Sequence, residues 1–275
     1  MNKIGIIGTG IMGTQLTCLL SSNGFNVILK TRPTSDITIL RHKIEERLTR
    51  YYPDNKELAL MNIVITTDFN DLRDVDLVID CIVENETAKR ALFQHLECVC
   101  SRNTILASNT SSISINKMIL SISGLNRLII IHFFNPVEKM KLVEINSGIL
   151  TSNGVIDSAI QFVKTIGKIP IRLNSMPGGI VNRLLFSSIN EAGYMLDETG
   201  TSKEDIDTAM KLGLNHPMGL LELADLIGID TVYNILSTFN STIVGFKPPA
   251  LVFKRLINEG KLGRKTGEGF YGYQR

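Results

Sequence analysis

The sequence predicts an α/β fold, a mostly parallel sheet with helices on both faces, followed by an all-α second domain. Three observations carry this. Short β-branched or apolar runs alternate with helix-period apolar spacing as far as Leu173, the pattern of a parallel sheet joined by crossover helices. A glycine loop, Gly8-Thr-Gly10-Ile-Met-Gly13, stands between the first strand and the first helix. Past Leu173 comes the breaker cluster Asn174-Ser-Met-Pro-Gly-Gly179, and beyond it strand signals nearly vanish. The domains are therefore placed at residues 1–174 and 175–275.

Each element has its own warrant. Lys3–Ile7 is a short buried strand, and the helix opened by the glycine loop runs to about Ser22, stopped by Gly24. Residues 26–29 form the second strand. Over Ile37–Tyr51 the residues Ile37, Leu40, Ile44 and Leu48 recur at helical spacing, with basic residues between them. Ile63–Thr66 and 77–81 are β-branched strands, 86–98 a helix, and 104–107 and 128–131 strands. Strands at 141–145 and 169–173 bracket a helix over 154–165. In the second domain 180–199 is a long apolar-periodic helix, and Ser202-Lys-Glu-Asp205 resembles a capping box with an acid at its third position. Pro217 and Gly219 mark a turn, 225–236 is another helix, and 249–259 is the last.

Composition narrows the function classes. A chain of 275 residues, 44% hydrophobic and 20% charged, has the make-up of a soluble globular protein with ample core. A net charge of +2 gives no general argument for nucleic acid or a membrane surface as partner. No apolar run approaches the roughly 18 residues of a spanning helix. The N-terminus enters a strand directly rather than through a signal peptide, so a cytoplasmic protein is expected. Cys18, Cys81, Cys98 and Cys100 have neither zinc spacing nor a disulfide framework, and no metal-ligand cluster is visible. Charge is uneven, however. Lys30, Arg32, Arg41, Lys43, Arg47 and Arg50 outnumber Asp36, Glu45 and Glu46, which reads either as a solvated helix face or as a site for a ligand carrying phosphates.

The glycine loop follows a strand, opens a helix and precedes a second strand, the context of a Rossmann-type dinucleotide site. Gly8 allows the turn, Gly10 admits a pyrophosphate and Gly13 lets helix and strand pack, while the amides around Ile11 and Met12 at the helix start bind phosphate. The second strand normally ends in an acid for the adenosine ribose. Here it ends Lys30-Thr31-Arg32, a hydroxyl followed by a guanidinium that suits a 2′-phosphate. NADP is the expected preference and NAD the alternative, with Asp36 a few residues on as another source of an acid. Ile82-Val-Glu84-Asn85 sets polar side chains at the rim of the crevice, ahead of a helix carrying Lys89, which taken alone reads as a solvated residue.

A hydroxyl, an imidazole and a carboxylate follow in order in Ser108-Asn-Thr-Ser111-Ser, His132-Phe-Phe-Asn135-Pro and Lys-Leu-Val-Glu144-Ile. His132 ends an apolar run, and residues just past a strand's carboxyl end face the ligand crevice of an open sheet. Glu144 stands among Leu142, Val143 and Ile145, where a carboxylate is costly unless paired. A histidine held by a glutamate is a general base. The plain alternative is a strand-end histidine in water and a glutamate on an edge strand. Asn182 opens the second domain's first helix among apolar neighbours, as a buried amide in need of partners or as a local cap.

Together these motifs resemble the 3-hydroxyacyl-CoA dehydrogenase family, of the 3-hydroxybutyryl-CoA dehydrogenase type, over nearly the whole chain. The resemblance adds Pro177-Gly with Val181-Asn-Arg-Leu-Leu185, Asn190-Glu-Ala192, Glu204-Asp-Ile-Asp207, His216-Pro-Met-Gly219 and Leu262-Gly-Arg-Lys-Thr-Gly-Glu-Gly-Phe-Tyr271. It implies that His132 is the catalytic base, Glu144 its orienting carboxylate, Ser111 the catalytic serine and Asn182 the asparagine from the second domain. It places Glu84, Lys89 and Asn135 on the cofactor side, needs no metal, and implies a homodimer through the helical domain with the active site between the domains. The helix Ile37–Tyr51 would meet CoA, with Arg47, where relatives place a serine, and Arg50 available for phosphates. Three residues depart from the family pattern: Thr31 for an aspartate, Gly179 for a phenylalanine and Leu220 for a proline. The expected substrate is a short acyl-CoA thioester in fatty acid metabolism. One rival is the same chemistry on an acyl-carrier-protein thioester in a polyketide pathway. Another, of a different class, is a catalytically silent dinucleotide-binding protein of the same fold.

Overall fold

Strand and helix alternate as the β-branched runs require: β1 (Lys3–Ile7), α1 (Ile11–Ser22), β2 (Asn26–Lys30), α2 (Ile37–Tyr51), α3 (Lys56–Met61), β3 (Ile63–Thr66), β4 (Leu77–Asp80), α4 (Glu86–Val99), β5 (Ile105–Ser108), α5 (Ile115–Ile119), β6 (Leu128–Phe133), β7 (Leu142–Ser147), α6 (Asn153–Thr165) and β8 (Ile169–Asn174). This computed structural model describes residues 1–119 and 123–274, which divide into two units, Met1–Met176 and Pro177–Arg275.

In the first unit the strands lie in the order β3-β2-β1-β4-β5-β6-β7-β8. All neighbours are parallel except β6 and β7. The order reverses between β1 and β4, so a crevice opens beside the glycine loop at their carboxyl ends. The central strands read as continuous apolar runs because both faces are covered. Ile4, Ile6, Leu29 and Ile131 pack with α1, α2 and α6 on one face, and Val78, Leu106 and Ile130 with α4 on the other. Each such side chain contributes about 1.5–3 kcal/mol by leaving water. The edge strand β8 carries Pro170, whose missing N–H an edge tolerates.

One expectation fails here, and one element had no forewarning. β6 runs on past Ile131 and takes His132 inside the strand, because antiparallel pairing with β7 sets His132 opposite Glu144 and Phe133 opposite Val143. The short helix α3 gives no sequence signal of its own and rests on tertiary contact through the buried Ala59.

The second unit is helical: α7 (Gly179–Thr199), α8 (Lys203–Gly213), α9 (Leu220–Ile227), α10 (Ile229–Thr242) and α11 (Leu251–Asn258), around Phe186, Ile189, Leu221, Val232, Phe239 and Phe253. The helix expected over 225–236 is instead two, broken at Gly228 with φ +103°. Ser202 caps α8 by accepting from the Asp205 N–H, and its hydroxyl donates back to the Asp205 carboxylate at 2.6 Å, so the acid reaches the serine rather than the cap backbone. Two buried carboxylates organise the unit. Asp207 accepts from the Leu221 and Glu222 amides and the Tyr271 hydroxyl, and Asp225 from the Phe270 and Tyr271 amides and the Tyr273 hydroxyl. A Cβ at Gly219 would lie 2.1 Å from the Asp207 carboxyl carbon, and one at Gly269 2.0 Å from an Asp225 oxygen. The conspicuous C-terminal motifs thus serve the fold, with glycines where carboxylates approach the backbone.

Candidate active site

Gly8 stands at φ +109°, and a Cβ on it would sit 2.6 Å from the Cys81 carbonyl oxygen. A Cβ on Gly13 would fall 1.9 Å from the Gly8 carbonyl oxygen, so helix and loop close tightly there. A Cβ on Gly10 would meet nothing within 4 Å. The space before α1 is open, and the helix has no side-chain cap. Its first amides, those of Ile11, Met12 and Gly13, have no intrahelical acceptor, and a pyrophosphate is the group that fits. To one side lies a cleft of about 520 Å³ lined by Gly8, Thr31, Arg32, Phe69 and Ile82 among others. Thr31 is buried with its hydroxyl 3.5 Å from that of Thr9, and Arg32 is exposed. Lys30 lies with its ammonium 4.0 Å over the Phe69 ring; burial pushes it below the ordinary lysine range, against the pull of Asp68. Asp36 caps α2, its Oδ1 accepting from the Thr38 and Ile39 amides at 2.9 and 3.1 Å.

Asp80 closes β4 fully buried. Its Oδ2 accepts from Lys89 Nζ and from the Ser108 hydroxyl, each at 2.7 Å, and Oδ1 accepts from the Ile82 amide. Lys89 is 1% exposed, not solvated, since α4 turns it onto this carboxylate, and Glu84 lies 3.7 Å away. Glu84 Oε1 in turn accepts from the Thr110 hydroxyl at 2.5 Å, the Ser111 amide at 3.1 Å, and the Ser112 amide and hydroxyl at 3.0 and 2.9 Å. Burial pushes the Glu84 carboxyl up, but the hydrogen bonds from Thr110 and Ser112 and the Lys89 charge outweigh it and hold it below the ordinary carboxylate range. The chain Lys89–Asp80–Ser108 and the Glu84 cradle therefore fix the loop that carries Ser111.

His132 Nδ1 lies 3.0 Å from Glu144 Oε2, across the antiparallel pair. The residues are 8% and 1% exposed, so little water competes for this bond. An ionised carboxylate can only accept, so Nδ1 carries the proton and Nε2 of the neutral ring is left as the acceptor. The Phe134 ring is tilted against the imidazole with centroids 4.5 Å apart. Asn109 Oδ1 accepts from the Phe133 amide at 2.8 Å, tying the serine loop to the residue beside His132.

Ser111, Glu84, Lys89, His132 and Glu144 thus share the end of the sheet where β4, β5 and β6 finish and β7 begins. Asn135 follows His132 by three residues and is exposed. Asn182, half-buried, lies in the first turn of α7 in the other unit. A second cleft, of about 490 Å³, lies between Gly10, Ile11 and Thr14 on one side and Lys43, Arg47, Arg50 and Tyr51 on the other. The Arg47 guanidinium forks onto Glu138 at 2.5 and 3.1 Å, which leaves Lys43 and Arg50 as the exposed cations of that wall. Among the described residues no group of three or more His, Cys, Asp or Glu side chains could hold a metal ion, and no helix is long and apolar enough to cross a membrane. Asp80, Asn109 and Gln15 escaped the sequence reading. Asp80 carried the same signal as Glu144, a carboxylate among apolar strand residues, and Gln15 is an amide within an apolar helix.

Comparison with known proteins gives the family of both units. Residues 3–176 match the family model for the 3-hydroxyacyl-CoA dehydrogenase NAD binding domain, and residues 178–273 the model for its C-terminal domain. The chain is 39% identical over 280 residues to a 3-hydroxybutyryl-CoA dehydrogenase of Clostridioides difficile, covering 99% of this chain and 100% of that one. It is 38% identical to the mitochondrial hydroxyacyl-coenzyme A dehydrogenase of Sus scrofa, covering 100% of this chain and 92% of the relative. The crystal structure of (S)-3-hydroxybutyryl-CoA dehydrogenase from Ralstonia eutropha superposes with a TM-score of 0.95 at 36% identity, covering 100% of both chains.

Proposed function

The chain belongs to the 3-hydroxyacyl-CoA dehydrogenase family, and on that premise we propose that it interconverts a short-chain 3-hydroxyacyl thioester and its 3-oxoacyl partner. The observation that carries this reading is the buried His132–Glu144 pair at the end of a sheet whose other strands form a dinucleotide crevice. A bound nicotinamide ring supplies the hydride acceptor or donor. In the oxidative direction His132 Nε2 takes the proton of the 3-hydroxyl as the hydrogen on the same carbon leaves with its electron pair. In reduction the imidazolium returns that proton to the oxygen of the 3-oxo group. Glu144 stabilises the imidazolium and fixes the tautomer. The Ser111 hydroxyl and the Asn182 amide are assigned to the developing alkoxide and the thioester carbonyl, where charge stabilisation counts most.

Gly8, Gly10, Ile11, Met12 and Gly13 are assigned to the pyrophosphate, and Asn135 and Glu84 to the nicotinamide side. Lys89 serves by holding Asp80 and Glu84. The matched domain is a NAD-binding one. The finer choice between NADP and NAD is assigned to NADP, supported by Thr31 in place of an acid and the exposed Arg32 beside it. Arg50, with Arg47 behind it, is assigned to the phosphates of the thiol handle, CoA in the first instance. The exposed basic residues of α2 favour an acidic carrier protein as the second reading. The boundary expected between residues 174 and 175 moves two residues on, to Met176 and Pro177; substrate and dimer contacts in the helical part belong to the same proposal. So does a cytoplasmic location, which fits four unpaired cysteines.

The test crosses NADH and NADPH with acetoacetyl-CoA and with the carrier-linked acetoacetyl thioester. Turnover of at least one pair is expected, and His132→Ala should lower it by about 10²–10⁴-fold. A protein that binds dinucleotide yet reduces neither thioester, with His132→Ala indistinguishable, would be the silent binder instead.

A further inference from the structure

Gln15 is 2% exposed on α1, and both ends of its amide are used. Its Oε1 accepts from the Val137 backbone N–H at 2.7 Å, and its Nε2 donates to Asn135 Oδ1 at 2.8 Å. The first bond dictates the second. A backbone N–H only donates, so the glutamine oxygen must face Val137 and the glutamine NH₂ must face Asn135. An NH₂ only donates, so the asparagine oxygen must face Gln15. The Asn135 NH₂ is left directed away from it, on an exposed residue three positions past His132. The amide orientation of Asn135, which atom positions alone seldom settle, follows here from a backbone donor two bonds away.

We propose that Gln15 is a positioning residue for the cofactor, orienting Asn135 so that it offers a donor, not an acceptor, to an oxygen at the nicotinamide end. This rests on the assignment of Asn135 to the cofactor side. The same helix aims its N-terminus at the pyrophosphate position, so one rigid element sets both ends of the dinucleotide's contact with this unit. The loop itself has other anchors. Arg47 holds Glu138, and Lys168 Nζ donates to the carbonyls of Val137 and Met140 at 2.5 and 2.9 Å. Altering Gln15 therefore changes which way Asn135 points more than where the loop lies.

Gln15→Glu isolates this role. It keeps an acceptor for Val137 and puts an oxygen where the NH₂ stood, so Asn135 turns its own NH₂ inward and its oxygen outward. Dissociation constants of NADH and NADPH are measured by fluorescence titration for the wild type, Gln15→Glu, Asn135→Ala and the double variant, with thermal midpoints to verify folding. We expect Gln15→Glu to weaken binding by about tenfold, the worth of one hydrogen bond, and to have no effect where Asn135 is already alanine. The loss should also shrink as pH falls and the introduced buried carboxyl takes up a proton, since its O–H then donates to Asn135 as the amide did. Should Gln15→Glu not fold, Gln15→Met replaces it, with a smaller loss that again vanishes in the Asn135→Ala background. Unchanged affinity, or an equal loss with and without Asn135, overturns the inference alone. A wild type that binds neither dinucleotide overturns the proposed function and this inference with it.

Discussion

Glu144→Gln keeps the shape of the side chain and removes its charge. The register of β6 and β7 holds the pair at 3.0 Å, and at 1% exposure water cannot take the carboxylate's place. A hydrogen bond to a charged group contributes about 1.5–3 kcal/mol and a neutral one about 0.5–1.5, so the imidazolium formed during oxidation loses about 1–2 kcal/mol of stabilisation. At 1.36 kcal/mol per decade this is roughly a 5–30-fold fall in kcat. That is the floor. If the introduced amide turns its NH₂ toward Nδ1, the ring takes the other tautomer, Nε2 carries the proton, and the loss approaches the roughly 10²–10⁴-fold of a missing base. KM for the thioester should change little, because Glu144 is assigned no contact with substrate. The assay is initial-rate oxidation of 3-hydroxybutyryl thioester at saturating cofactor, followed by the absorbance of reduced nicotinamide, with the thermal midpoint as control. A kcat within about threefold of wild type, in a folded variant, would refute the assignment of Glu144 as the partner that stabilises His132.

Other perturbations separate the remaining parts. Thr31→Asp should move the NADPH-to-NADH ratio of kcat/KM toward NADH by about tenfold, the worth of one charge-assisted hydrogen bond; Arg32→Ala should erase much of the NADPH preference. A wild-type preference for NADH would remove the basis of both. Asp80→Ala leaves Lys89 buried with Glu84 at 3.7 Å as its nearest acid, and should cost about 3–5 kcal/mol in urea unfolding; a loss no larger than that of a surface substitution would contradict the ion pair's structural role. Glu84→Gln tests the serine loop by pH. Because the folded carboxyl lies below its ordinary value of 4.5, its contribution to stability is complete above that pH and drains away as pH falls through the folded value. Wild type and variant should therefore differ most near neutrality and converge in acid, and parallel urea midpoints down to about pH 3 would count against it.

Much of this was legible in the chain because the signals are local. Strands β1, β4 and β6 announce themselves as apolar runs, and the glycine loop is read from three glycines in six residues. Glu144 betrayed itself by being a carboxylate among Leu142, Val143 and Ile145. Lys89 did the opposite. A lysine in a helix looks solvated, and only the arrival of Asp80 from the end of β4 makes its burial tolerable. Arg47 looked available for phosphate because Glu138, 91 residues away, carries no local mark of the pairing. The break at Gly228 was hidden because helical periodicity continues on either side of it.

The sequence by itself determined the order of elements, the loop that suits a pyrophosphate, and the identity of His132 and Glu144 as an acid–base candidate. These depend on periodicity and residue type within a few positions, which is how far local propensity reaches. Only the tertiary structure decided which atoms meet. Antiparallel pairing of β7 with β6 brings Glu144 opposite His132 and leaves Nε2 of the ring as the acceptor, and a contact across 120 residues lets Gln15 choose the face that Asn135 presents. Such choices are made by backbone donors and buried charges that come together after the chain has closed, and a buried polar atom takes whichever partner the fold delivers.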